Sequence, residues 1–188
     1  MWGSVLGRVN ITPWSCIVLA FLLLTVPVRW LFAAIFAALV HEAAHYIAAC
    51  FLGGRVEGIR LSGAGAAMGV WGLSPGKEAV VALAGPAGSF LLVLLSESFP
   101  ELALCAMVQG SYNLLPIFPL DGGRTVRCVL SLVLGKDKSR MLSQRIGWGS
   151  MLAILILGIY FQIWQSILLV LSLVFRNISC NDGKLRVQ

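Results

Sequence analysis

Apolar residues fall along this chain in blocks long enough to cross a bilayer, separated by short polar or glycine- and proline-rich segments. Residues 1–12 read as a short polar-apolar arm suited to lying on a membrane surface. Residues 13–28 make a first span, closed by Pro27 and an Arg29–Trp30 interface pair. A second span covers 30–52. Residues 53–76 then change character: Arg55, Val56, Ile59 and Leu61 suggest a strand, and Gly63, Gly65, Gly69 and Gly72 are scattered through the rest of the segment. Composition leaves two readings open there, a hairpin or re-entrant loop and an ordinary flexible connector.

Residues 77–96 form a third span, interrupted by Gly85-Pro86-Ala87-Gly88, which implies a kink, a close helix contact or small-residue packing alone. An acidic turn occupies 97–101. The fourth span begins at 101 and breaks at Pro116 and Pro119, which is tolerated at membrane depth only where the freed backbone lines a site or packs on protein. A helix resumes over 121–134, with Arg124 and Arg127 marking the return to water, and 135–145 reads as a basic loop.

The stretch 147–175 is the ambiguous one. As a single helix it would be about 43 Å long, more than the hydrocarbon layer needs. Gln162, Trp164, Gln165 and Ser166 could instead make a tight hairpin between two short crossings. Charge arbitrates. With six crossings, thirteen of the fourteen Lys and Arg residues fall on one side and only Arg29 on the other; five crossings move Arg176, Lys184 and Arg186 across and leave ten against four. The positive-inside rule favours six spans with both termini cytoplasmic.

Composition agrees with this picture. Hydrophobic residues make up 59% of the 188 and charged residues 12%, far from soluble averages. The expected fold is therefore an all-α polytopic membrane protein of about six transmembrane helices, with a short membrane-associated β-hairpin or re-entrant loop after the second. Residues 1–188 read as one integral-membrane domain with no separate soluble domain. The first apolar run lacks a small-residue cleavage site and is expected to stay as a span. The five cysteines form no CxxC pair and read as small core residues. The formal charge of +6 matters through its distribution, and no nucleic-acid partner is expected. Asn177-Ile178-Ser179 matches a glycosylation sequon but falls on a cytoplasmic tail in this topology, so it carries no weight.

The candidate chemistry centres on His41-Glu42-Ala43-Ala44-His45, inside the second span. Histidines four apart lie on one helix face, so both imidazoles can reach one metal ion, and Glu42 is displaced around the helix within reach of a water there. That is the mechanical content of the HExxH zinc-protease pattern. These are the only two histidines in the chain, and polar side chains inside an apolar run are expensive and usually functional. Downstream, Asn113-Leu114-Leu115-Pro116-Ile117-Phe118-Pro119-Leu120-Asp121-Gly122-Gly123-Arg124 puts a carboxylate in a proline-broken apolar stretch.

HExxH on a membrane helix followed by NxxPxxPxDGGR resembles the site-2 protease family of intramembrane zinc metalloproteases, which also has an Ala-Gly-Pro-Ala-Gly turn like residues 84–88. Ala44 departs from the glycine usual at that position. The resemblance implies a zinc endopeptidase with His41, His45 and Asp121 as metal ligands and Glu42 as catalytic base. It also favours a hairpin beside the active site and substrate clamping by Asn113. A catalytic zinc needs three protein ligands, and Asp121 is the one acidic residue at membrane depth apart from Glu42. The alternative for Asp121 is a helix cap. The segment around Gly63 and Gly65 could offer an edge strand to an extended substrate.

No room exists over 97–101 for an inserted PDZ domain, and six apparent spans look closest to the sporulation-type bacterial branch. The resemblance therefore implies a bacterial cell membrane, cleavage near the cytoplasmic face and a membrane-embedded or membrane-associated protein substrate. A sigma- or transcription-factor precursor is the substrate class the branch suggests, with a membrane regulatory partner. Only thirteen residues follow Phe175, so the CBS domain often found in that branch is not expected. The competing reading from another class is a non-proteolytic zinc-binding membrane scaffold or carrier. It would need the histidines and Asp121 but not Glu42.

Overall fold

The computed structural model describes residues 9–11, 25–62, 65–160, 170 and 172–174. The chain divides into two compact units, Met1–Tyr112 and Asn113–Gln188.

The first unit holds a small sheet and most of the helices. Its sheet has strands β1 (Val9–Ile11), β2 (Arg55–Ser62) and β3 (Gly65–Trp71) in the order β1-β2-β3. β2 and β3 form the antiparallel hairpin expected after the second span, with Arg55 opposite Trp71 and Ser62 opposite Gly65. A register shift between Val56 and Gly58 leaves one extra residue on β2. Val9–Ile11 pairs in parallel with β2, Val9 opposite Ile59, and a three-residue strand has too little sequence to announce itself.

Helix α1 (Val28–Phe51) coincides with the second expected span almost residue for residue. Its end is chemically explicit. Gly53 takes φ +81°, its N–H bonds to Cys50 O at 3.1 Å, and the Gly54 N–H bonds to Ala49 O at 2.8 Å. This crossed pair is the Schellman arrangement, which satisfies the last carbonyls and needs a residue tolerant of the left-handed region. Helix α2 (Pro75–Val93) opens with proline in its first turn, where no N–H is needed, and Lys77 reaches back to bond Leu52 O at 3.0 Å. Helix α2 stays helical through Pro86. Helix α3 (Pro100–Asn113) follows a turn, and Ala37, Leu92 and Ala106 meet in a core cluster flanked by Val40, Leu102 and Cys105. Arg29 and Glu101 approach to 3.5 Å at its edge, an exposed pair worth little.

The second unit holds helices α4 (Asp121–Leu134) and α5 (Lys136–Tyr160), packed on each other. Gly135, at φ +77°, is the whole connection between them. The basic loop expected over 135–145 is therefore the start of α5. Lys and Arg are good helix formers, and a charged stretch ahead of an apolar one mimics a loop only in its polarity.

Three helices are long and apolar enough to cross a membrane among the described residues: α1, α2 and α5. At fourteen residues each, α3 and α4 are shorter than the roughly 20 a crossing requires. Large apolar side chains such as Phe32, Phe36 and Leu39 on α1 face outward, as a lipid-facing surface would have them. The count of six is not reproduced by these helices. The first span's residues 13–24 and the Gln162–Ser166 hairpin lie outside the described residues.

Candidate metal centre

The buried stripe of α1 is Leu31, Ala37, His41, His45 and Ala49, so the helical repeat carries both histidines into the interior together. Their rings meet edge to face, centroids 4.8 Å apart at 84°, with the two Nε2 atoms 3.2 Å from each other. Each Nδ1 is engaged on the far side. That of His45 is 2.7 Å from Val81 O, and that of His41 is 2.9 Å from Ser89 Oγ. A carbonyl can only accept, so His45 carries its proton on Nδ1 and presents a lone pair at Nε2.

This geometry fits a shared metal ion. Two nitrogens at about 2.0–2.1 Å from a tetrahedral zinc lie roughly 3.3 Å apart, against 3.2 Å here. A cation between the two Nε2 atoms satisfies both lone pairs at once.

Room for the pair is made by α2. A Cβ on Gly85 would run into the His45 ring, and one on Gly88 would sit 2.7 Å from the Ala44 Cβ. The GPAG stretch is thus a notch that lets α1 and α2 touch backbone to side chain. It also explains how Ala44 is accommodated: its methyl fills the space left by Gly88.

In the second unit, the proline-broken segment folds into a tight turn with Ile117 N–H bonded to Leu115 O and Leu120 N–H to Ile117 O, at 2.7 and 2.8 Å. Ile117 and Leu120 are buried and anchor it, and the Phe118–Pro119 peptide is cis. The start of α4 packs directly on this turn. A Cβ on Gly122 would strike Leu114 and Leu115 carbonyl groups, and one on Gly123 would strike the Ile117–Phe118 backbone. That is the physical reason for two glycines after Asp121. Arg127, one helical turn after Gly123, lies over the Phe118 ring, 4.9 Å from its centroid.

Asp121 is buried and is the first residue of α4, while Leu120 occupies the N-cap position with no side-chain cap bond. Glu42 is half-buried on α1 beside His41, and Asn113 is half-buried at the end of α3. Gly65 is the first residue of β3, and Gly63 lies outside the described residues. The first unit thus brings His41, Glu42 and His45 together, and the second presents Asp121 next to two glycines. Sequence reading missed Ser89 and the Val81 carbonyl.

A family model described as peptidase M50B-like matches residues 14–117, which include the HExxH helix, the GPAG notch and Asn113. The chain belongs to the peptidase M50B-like family. Membership agrees with the site-2 protease resemblance of the two motifs, and with the apolar helices it makes the chain an integral membrane protein. The matched region stops short of Asp121. A zinc metalloprotease of Methanocaldococcus jannaschii is 31% identical over 160 residues, 77% of this chain and 46% of that protein. The M50B-like chain thus spans about half the length of the curated relative it matches. Its fold resembles that of a site-2 protease from Methanocaldococcus jannaschii, with a TM-score of 0.68 at 24% identity over 86% of this chain and 83% of that one.

Proposed function

We propose that the chain is an intramembrane zinc endopeptidase in which His41, His45 and Asp121 hold the metal and Glu42 is the general base. The observation that carries this is the convergence of two buried Nε2 atoms to 3.2 Å with both Nδ1 atoms engaged behind them. Support for Asp121 comes from its burial and the NxxPxxPxDGGR motif. A charge in an apolar setting is costly unless it is coordinated or paired.

Zinc bound there would acidify a water and polarise the scissile carbonyl. Glu42, next to His41 and half-buried, would act as general base, taking a proton from the attacking water and passing it to the leaving amine. A helical substrate hides its amides, so it must be held extended before attack. The outer edge of β3, beginning at Gly65, offers backbone groups for such a strand, and the segment at Gly63 is proposed to take part. Asn113 supplies two donors and an acceptor suited to gripping a peptide edge. The substrate class is a membrane-embedded or membrane-associated protein cut near the cytoplasmic face, a sigma- or transcription-factor precursor among them, with both termini of the protease in the cytoplasm and a membrane regulatory partner.

The reading is tested by cleavage of a model transmembrane substrate in proteoliposomes. Activity should vanish on chelation and return with added zinc, and Asn113→Ala should keep its zinc while cleaving poorly. Cleavage indifferent to chelator would end the metalloprotease reading, and zinc loss in Asn113→Ala would end the clamp.

A further inference from the structure

We infer that Ser89 is a positioning residue for the metal centre: its hydroxyl accepts the Nδ1 proton of His41 and so fixes His41 Nε2 as the ligating nitrogen. The inference rests on the zinc-site reading. His45 is held by a main-chain carbonyl, which cannot be mutated away and which dictates one tautomer. For His41 that task falls to one side chain, 48 residues away on α2 and 2.9 Å from Nδ1.

The behaviour of other helix serines argues that this contact is built rather than incidental. Ser131, Ser139, Ser143 and Ser150 each turn their hydroxyl back onto a carbonyl three or four residues earlier in their own helix. That local bond is the ordinary outlet for a helical serine. Ser89 instead directs its oxygen across the helix interface to His41.

Its surroundings hold it there. Ser89 is 0% exposed, so no bulk water can replace it. Gly88 lets α1 close onto α2 on one side. On the other, a Cβ at Gly110 of α3 would come within 3.1 Å of the Ser89 Cβ, so the glycine leaves the space Ser89 occupies. The Ser89 oxygen, buried among apolar neighbours, has the His41 ring nitrogen as its partner. Partners in this position orient the ring and raise its basicity, and their loss commonly weakens metal binding about 10–100-fold.

The test is metal affinity of the purified full chain, with wild type and Ser89→Ala compared by zinc competition and by the visible spectrum of the cobalt-substituted protein. The variant should bind zinc about 10–100-fold more weakly and give an altered cobalt spectrum. Its metal-free melting temperature should fall only by what the loss of one buried hydrogen bond entails, because alanine keeps the Cβ contacts. Wild-type affinity with an unchanged spectrum would overturn the inference. So would a loss of affinity with an unchanged cobalt spectrum, which would make Ser89 a packing residue. Failure of the wild-type chain to bind zinc or cobalt at all would instead sink the zinc-site reading itself.

Discussion

Replacing Glu42 by glutamine is expected to leave the zinc content of the protein unchanged and to reduce cleavage by about 10²–10⁴-fold. The side chain keeps its size, and an amide can still hydrogen-bond water, so neither the packing of α1 nor the approach of a water is lost. What disappears is the capacity to take a proton. His41 and His45 keep their contacts to Ser89 Oγ and the Val81 carbonyl in the variant. Cleavage assayed beside elemental analysis decides it. Turnover at the wild-type rate would return Glu42 to a structural role, while absence of cleavage in both proteins with zinc bound would favour a scaffold or carrier.

Gly85→Ala should disable the centre from the other direction. The new methyl would occupy the place of the His45 ring, and that ring is pinned by its 2.7 Å bond to Val81 O on the same helix that carries the substitution. Relief requires either breaking that bond or prising α1 from α2. Overpacking of this kind costs about 1–3 kcal/mol, and here the displaced atom is the Nε2 proposed to ligate. Both the melting temperature and bound zinc should fall. Gly76→Ala, on the same helix where a Cβ meets nothing within 4 Å, is the control. It should be neutral or stabilising, by about 0.5–1 kcal/mol, because alanine is the better helix former. Equal behaviour of the two variants would refute the notch.

How much of this the sequence could carry depends on the range of the interactions. His41, Glu42 and His45 are legible because their relationship is one turn of one helix; the hairpin over β2 and β3 is legible only through the family resemblance, because scattered glycines fit a flexible connector as well. The notch at Gly85 and Gly88 is visible in sequence only as a run of small residues; what the glycines make room for, Ala44 and His45, depends on helix packing. Ser89 and the Val81 carbonyl are invisible for the same reason, since a serine and a valine in an apolar helix give no hint of facing a histidine 48 or 36 residues away. The parallel strand Val9–Ile11 escapes a sequence reading because its partner lies fifty residues on. The loop expected over 135–145 is helix for a simpler reason: a run of charge imitates a loop, although Gly135 alone makes the turn.

Zinc counted per chain in the purified full-length protein tests the central claim most directly, with wild type, His45→Ala and Asp121→Ala side by side. Three protein ligands are the minimum for a stable site that keeps a position open for water. Wild type should hold one zinc, and each variant should lose most of it while α1 and α2 remain folded. Full retention of zinc by Asp121→Ala would contradict the account and remove that carboxylate from the metal.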